Sequence, residues 1–151
     1  MLAEPLSELI ADRGTVVLDG GLATELEARG ADLRDPLWSA KLLIENPSLI
    51  RDVHAAYFDA GADIAISASY QASFIGFAER GIQHDEAEDL MRSSVLLARE
   101  ARDAAGGDER LVAASVGPYG AVLGNGAEYT GDYGRTIEEL LDFHLPDARA
   151  R

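Results

Sequence analysis

The chain has 151 residues and a mass of 16.1 kDa, the size of one domain with a single core. Its 13 Lys and Arg residues against 27 Asp and Glu residues give a net charge of −14. This charge argues against binding to nucleic acid or anionic lipid, because both need clustered basic side chains. The absence of cysteine excludes a disulfide scaffold, a cysteine zinc site and a thiol nucleophile within the chain. The sequence shows neither a membrane-spanning run nor a signal peptide, and we expect a cytoplasmic protein.

Three apolar runs, each followed by turn residues, predict three β-strands. Their starts lie roughly 48 residues apart, which leaves room for a crossover helix between parallel strands. None of them alternates between apolar and polar residues, as is typical of a parallel sheet covered on both faces. The three runs are 15–18, 63–70 and 111–116.

Helix-capping signals place helices after the first two of these turns. Asn46 and Pro47 predict the start of a helix that stops at Gly61. Asp85 and Glu88 have the spacing of a capping box and predict the start of the next helix.

A further helix follows the third strand. Thr136 and Glu139 have the spacing of a second capping box. We expect Pro146 to interrupt this helix, because proline lacks the backbone N–H that the helix ladder needs. The tail 147–151 offers no apolar face to bury.

Strand and helix therefore alternate three times, which predicts an α/β fold with right-handed crossovers. Two architectures fit this order. One is a small open doubly wound sheet, and the other is the first part of a (β/α)₈ barrel, which takes about 250 residues. Three strands make a thin sheet for 151 residues, which indicates a piece of a larger fold.

Small and polar residues follow each predicted strand, at the end where both architectures bind ligands. Asp19 could bind a ligand ammonium, with the backbone of Gly20 and Gly21 near its carboxylate, although Asp-Gly also favours a plain turn. Trp38 could wall an apolar pocket or belong to the core, and Tyr70 could offer its hydroxyl at the mouth or cap a core edge.

The three histidines do not predict a metal site. They lie on different predicted helices, and no pair has the spacing of metal ligands. We interpret His54, His84 and His144 as surface or helix-packing residues.

Several of these motifs, taken in order, resemble the homocysteine S-methyltransferase family. The match is closest to the branch that uses S-methylmethionine or S-adenosylmethionine as the methyl donor. It extends from about Val16 to His144. The matching segments are VLDGGLATELE at 17–27, LWSA at 37–40, NP at 46–47, AGAD at 60–63, SASYQA at 67–72, SVGPYG at 115–120 and EYTGDY at 128–133.

The resemblance implies the fold and the reaction. The chain would form the N-terminal three β/α units of a (β/α)₈ TIM barrel, truncated at about half its length. Residues 1–151 would then be a partial homocysteine-binding barrel domain, with 145–151 as a tail outside the family pattern. Enzymes of this family move a methyl group from a sulfonium donor to the sulfur of homocysteine, giving methionine, with zinc holding the thiolate.

The resemblance also assigns residues to the substrate. Asp19 would hold the homocysteine ammonium, and Gly20 and Gly21 would present backbone to its carboxylate. Trp38 and Tyr70 would wall the substrate pocket.

Departures from the family pattern affect catalysis. The family's three zinc ligands are cysteines, and a fourth-strand glutamate also holds the substrate ammonium. This chain carries neither, so we expect no catalytic residue, no metal site and no activity of the chain alone. A shifted reading frame or a premature stop just after His144 would account for its end.

Other interpretations stay open at this point. The chain could be a non-catalytic half-barrel completed by a second chain that carries the cysteines. It could also be a small α/β module that binds an amino acid through Asp19 without metal. Three strands would leave two open sheet edges, so we expect marginal stability or self-association.

Overall fold

The computed structural model describes residues 4–107 and 109–151, in which helices pack on a small parallel sheet. The sheet contains β1 (Ile64–Ile66) and β2 (Leu111–Ala113), with Ile64 opposite Leu111. Both strands are shorter than predicted. The predicted strand at 15–18 is reduced to one parallel bridge between Leu18 and Ile64.

Most of the remaining chain is helical. No helix in the described ranges is long and apolar enough to cross a membrane. A short 3₁₀ helix covers Trp38–Lys41. The α-helices are α1 (Glu4–Arg13), α2 (Leu22–Ala28), α3 (Leu42–Glu45), α4 (Pro47–Asp59), α5 (Phe74–Glu79), α6 (His84–Ala104), α7 (Tyr119–Leu123), α8 (Ala127–Thr130) and α9 (Ile137–Arg149).

Helices α4 and α6 cover one face of the sheet. Ala65 of β1 is fully buried in a cluster with Phe58 of α4 and Ala101 of α6. Successive strand residues point to opposite faces, so Ile66 and its bridge neighbour Ala113 lie on the other face, where both are exposed. The sheet therefore has one covered face and one largely open face.

Two of the predicted helix starts are confirmed in their capping contacts. The Asn46 side chain accepts a hydrogen bond from the Leu49 N–H at 3.3 Å, with Pro47 in the first turn. At α9 the Thr136 hydroxyl accepts from the Glu139 N–H at 3.2 Å, and the Glu139 carboxylate accepts from the Thr136 N–H at 2.8 Å. Each cap satisfies N–H groups that a helix start otherwise leaves without partners.

The predicted capping box of Asp85 and Glu88 is wrong. The N-cap of α6 is Gln83, two residues before Asp85, and it makes no side-chain capping bond; the helix begins at His84. The His84 ring stacks on Phe74 with ring centroids 4.1 Å apart, which fixes the helix start. Asp85 consequently lies inside the first turn, where its negative charge favours the helix dipole.

The prediction that Pro146 interrupts the last helix is also wrong, and so is the expectation of an unburied tail. Helix α9 continues through Pro146 to Arg149. Its end is held by tertiary contacts, since the Asp147 carboxylate is buried against the Phe74 N–H and Arg151 donates to the carbonyls of Ser69 and Ala72. These contacts hold the end of the helix in place although proline lacks one helix hydrogen bond.

The last residue of α1 forms ion pairs at the amino end of the sheet. This residue, Arg13, pairs with Asp63 and with Glu109, the latter at 2.9 Å. Asp63 also accepts from the Val17 N–H at 2.8 Å. The opposite, carboxyl end of the sheet opens into the candidate site.

Candidate functional site

The structure brings the five predicted site residues together. Asp19, Gly20, Gly21, Trp38 and Tyr70 line one pocket of about 360 Å³ at the carboxyl ends of the strands. We call it the first pocket. Leu22–Thr24, Ser39, Ile66–Ala68 and Ser115 complete its lining.

Asp19 bonds the backbone of β1 through both its own backbone N–H and its side chain. Its backbone N–H donates to the Ile64 carbonyl at 2.8 Å, and its Oδ2 accepts from the Ile66 N–H at 2.9 Å. Its Oδ1 is buried and has no hydrogen-bond partner among the described residues. Burial raises the pKa of Asp19 above its usual value, against the opposing effect of the Ile66 N–H. Asp19 therefore offers the pocket one free carboxylate oxygen, which a ligand N–H group would satisfy.

A second side-chain bridge lies between the ends of β1 and β2, and sequence reasoning missed it. The Ser67 hydroxyl accepts from the Ser115 N–H at 2.9 Å, and the Ser69 hydroxyl donates to the Ser115 carbonyl at 2.9 Å. The two hydroxyls also bond each other at 2.8 Å. These side chains replace backbone bonds beyond Ile66 and Ala113, so the strands end early and the pocket opens there.

Tyr57 of α4 holds the glycine pair, and it too was missed. A Cβ atom at Gly20 would lie 2.9 Å from the Tyr57 ring, and the Tyr57 hydroxyl donates to the Gly21 carbonyl at 3.2 Å. A larger residue at position 20 would force the Tyr57 ring to shift. No motif in the sequence indicates this contact, because it joins two distant segments of the chain.

Trp38 adopts a backbone conformation that favours glycine. Its φ of 46° is the only positive value for a non-glycine residue in the described ranges. Such conformations cost about 1–3 kcal/mol and cluster at binding sites. Its side chain is 39% exposed, as is that of Tyr70, so both rings stand at the pocket wall rather than in the core.

The same two rings also wall a second pocket of about 600 Å³. We call this space the second pocket. Gln71, Glu128 and Tyr129 line it beside Asp35, Pro36 and Gly124. Burial raises the pKa of the Tyr70 hydroxyl, and the neighbouring Glu128 carboxylate adds to the shift. The two pockets thus meet at Trp38 and Tyr70.

The described residues do not fit a zinc ion. Among them, no three His, Cys, Asp or Glu side chains come close enough to hold a metal. His54 is fully buried on α4, and His84 and His144 belong to α6 and α9.

Comparison with known proteins gives the family. The family model described as homocysteine S-methyltransferase matches residues 16–151. The chain belongs to this family.

Homocysteine S-methyltransferases of several organisms are close relatives. The Escherichia coli enzyme is 51% identical over 151 residues, which cover 97% of this chain and 49% of the relative. Bacillus subtilis YbgG is 48% identical over 97% of this chain and 49% of its own length. Homocysteine S-methyltransferase 4 of maize is 56% identical, and the match covers 87% of this chain and 42% of the maize protein. The chain thus spans about half the length of these curated relatives.

A solved homocysteine methyltransferase has the same fold over the same part. The metallated form of Escherichia coli MmuM matches with a TM-score of 0.91 and 51% identity, covering 97% of this chain and 53% of the solved one. The chain is therefore a mixed α/β structure that corresponds to about half of that methyltransferase.

Proposed function

We propose that this chain is the homocysteine-binding half of a homocysteine S-methyltransferase and forms the first three β/α units of its barrel. The observation that carries the proposal is the first pocket. It brings the loop Asp19–Gly21 together with Trp38 and Tyr70, which are distant in sequence, around one carboxylate oxygen that has no partner among the described residues.

Asp19 would bind the ammonium group of homocysteine. The free Oδ1 needs an N–H donor, and an ammonium supplies both the hydrogen bond and the opposite charge. The Tyr57 contact holds Gly20 and Gly21 in place. Their backbone would lie along the substrate carboxylate. The homocysteine side chain would then extend past Trp38 and Tyr70 toward the second pocket.

The reaction in this arrangement is a methyl transfer between two sulfur atoms. The homocysteine thiolate attacks the methyl carbon of a sulfonium donor and forms a new carbon–sulfur bond. The bond from that carbon to the sulfonium breaks, and its electron pair leaves the donor as a neutral thioether. This half contributes orientation, which alone can supply about 7–11 kcal/mol of a barrier. The zinc of the family finds no ligands here, so we expect the isolated chain to form no methionine.

Homocysteine binding by the 151-residue chain tests the proposal. We expect isothermal titration calorimetry to show binding that Asp19→Asn weakens by about ten- to a hundredfold, since a hydrogen bond between charged groups contributes about 1.5–3 kcal/mol. Asp132→Asn removes a carboxylate from an exposed position and serves as the matched control. Equal affinity for homocysteine in the Asp19→Asn variant and the wild type would refute the assignment of Asp19.

An activity assay tests the other half of the proposal. The purified chain is incubated with homocysteine, S-methylmethionine and zinc, and methionine is measured. Zinc-dependent methionine formation by this chain alone would show that it is more than the substrate-binding half.

A further inference from the structure

Two residues that line the second pocket carry hydrogen-bond acceptors without partners among the described residues. Glu128 Oε2 and Gln71 Oε1 are both buried and make no hydrogen bond to any described residue. Both residues line this pocket. Buried polar atoms of this kind are costly unless a ligand or water satisfies them.

The pocket also carries uncompensated negative charge. Its other carboxylate, Asp35, pairs with Arg80 and accepts from the Leu37 N–H at 2.9 Å. Glu128 forms no ion pair with the described residues, and no Lys or Arg side chain lines the pocket. A ligand that enters here meets one free carboxylate, one amide oxygen and the rings of Trp38, Tyr70 and Tyr129.

These groups suit the two ends of an amino-acid sulfonium differently. An ammonium group carries three N–H donors and satisfies carboxylate and amide oxygens. A sulfonium carries positive charge but no hydrogen on its sulfur atom. Aromatic ring faces attract this charge, whereas acceptor oxygens cannot form an ordinary hydrogen bond with the sulfur. The unpartnered oxygens belong to Glu128 and Gln71, whereas Trp38 and Tyr70 form the wall shared with the first pocket.

We propose that Glu128 and Gln71 form a subsite for the ammonium group of the methyl donor, an amino-acid sulfonium bound in the second pocket. This inference rests on the proposed function, which places homocysteine in the first pocket. With its ammonium held at Glu128, the donor directs its sulfonium to the rings of Trp38 and Tyr70. The methyl group then lies beside the homocysteine sulfur at the opening where the two pockets meet, with no side chain between them.

Calorimetry with two sulfonium ligands tests the subsite in the full 151-residue chain. The ligands are S-methylmethionine and dimethylsulfoniopropionate, which has a sulfonium and a carboxylate but no ammonium. We expect Glu128→Gln to weaken S-methylmethionine binding by about ten- to a hundredfold. The same variant should change the affinity for dimethylsulfoniopropionate less than threefold, and that for homocysteine not at all.

Two further variants complete the design. Glu138→Gln removes an exposed glutamate from the first turn of α9 and should bind S-methylmethionine like the wild type. Gln71→Met keeps the side-chain length, removes the acceptor and should cost several-fold in S-methylmethionine affinity. It also decides the question if thermal melts show that Glu128→Gln does not fold.

Each remaining outcome contradicts the subsite. It is wrong if the wild type does not bind S-methylmethionine, or if Glu128→Gln binds it as tightly as the wild type does. It is also wrong if Glu128→Gln weakens both sulfonium ligands by the same factor, which would indicate a general loss of the pocket. In all these cases Asp19-dependent homocysteine binding would still stand, so the two proposals fail separately.

Discussion

His54 shows what burial does to a single titratable residue in this protein. Its side chain is fully buried on α4, and neither ring nitrogen has a hydrogen-bond partner among the described residues. Burial lowers the pKa of His54 to about 4, because the charged imidazolium would lose its hydration. The histidine is therefore neutral in the folded protein at neutral pH.

This lowered pKa predicts a loss of stability in mild acid. Between about pH 6.5 and 4 the unfolded chain binds a proton at His54 that the folded chain does not. The free energy of unfolding therefore decreases as the pH is lowered through this range. From pH 6.5 to 5 the expected loss is on the order of 2 kcal/mol. Urea unfolding at several pH values measures it.

A substitution isolates the histidine from other titrating groups. The pKa values of Asp19 and Asp147 are raised by burial, so their protonation on acidification acts in the opposite direction. The difference between the wild type and His54→Leu removes both contributions. We expect His54→Leu to flatten the acid slope. An unchanged slope in His54→Leu would exclude His54 as its source.

At this scale the sequence predicted which residues meet but not how they are held. All five predicted residues line the first pocket. Four of them were chosen at the ends of predicted strands, whereas Trp38 was chosen as a candidate pocket wall away from any strand end. Tyr57, Gln71 and Glu128 were not chosen, because their importance lies in contacts across the fold. An unpartnered oxygen or a ring against a glycine leaves no pattern in one sequence.

At the scale of elements, side chains end the strands at the site. Ser67 and Ser69 occupy positions where a longer ladder would place backbone bonds to Ser115. The early end of each strand makes room for the first pocket. We infer that the polar ends of β1 and β2 stabilise the mouth of the site as well as shape it.

The bridge at Ser67 predicts a measurable cost of its removal. Ser67→Ala leaves the Ser115 N–H without its acceptor and should lower the free energy of unfolding by on the order of 1–3 kcal/mol. Ser93→Ala is the matched control, because that hydroxyl only bonds the Leu90 carbonyl within its own helix. Urea denaturation compares the two, and equal midpoints would show that the bridge contributes no stability.

The sequence predicted two helix starts correctly but not the start of α6 or the end of α9. The caps at Asn46 and Thr136 depend on local hydrogen bonds, which residue type and spacing determine. The start of α6 and the continuation of α9 past Pro146 depend on Phe74, which stacks on one helix and bonds the other. Such long-range contacts override local signals and cannot be read from local sequence.

At the scale of the whole molecule, the uncovered face of the sheet is the dominant feature. Leu18 is 55% exposed and Ile66 38% exposed, on the face opposite α4 and α6. The outward backbone groups of Val112 lie on the edge of β2 away from β1. An open edge beside an apolar face favours association with another chain.

We therefore predict self-association of the purified chain. Sedimentation equilibrium should give an apparent mass above 16.1 kDa that rises with concentration. Leu18→Lys should shift the distribution toward the monomer, because it places a charge on the exposed face outside the first-pocket lining. A wild type that stays monomeric at all concentrations and melts in one sharp transition would contradict the prediction.

The ion pairs of Arg13 have a consequence for synthesis on the ribosome. Arg13 binds Asp63 and Glu109, which lie 50 and 96 residues further along the chain. Leu18 likewise has no strand partner until Ile64 has been made, and Ser115 is the last residue of the first-pocket lining. The nascent chain must therefore carry its first segment unpaired at least until residues 63 and 64 have been made. The pocket can close only when residues up to Ser115 have left the exit tunnel.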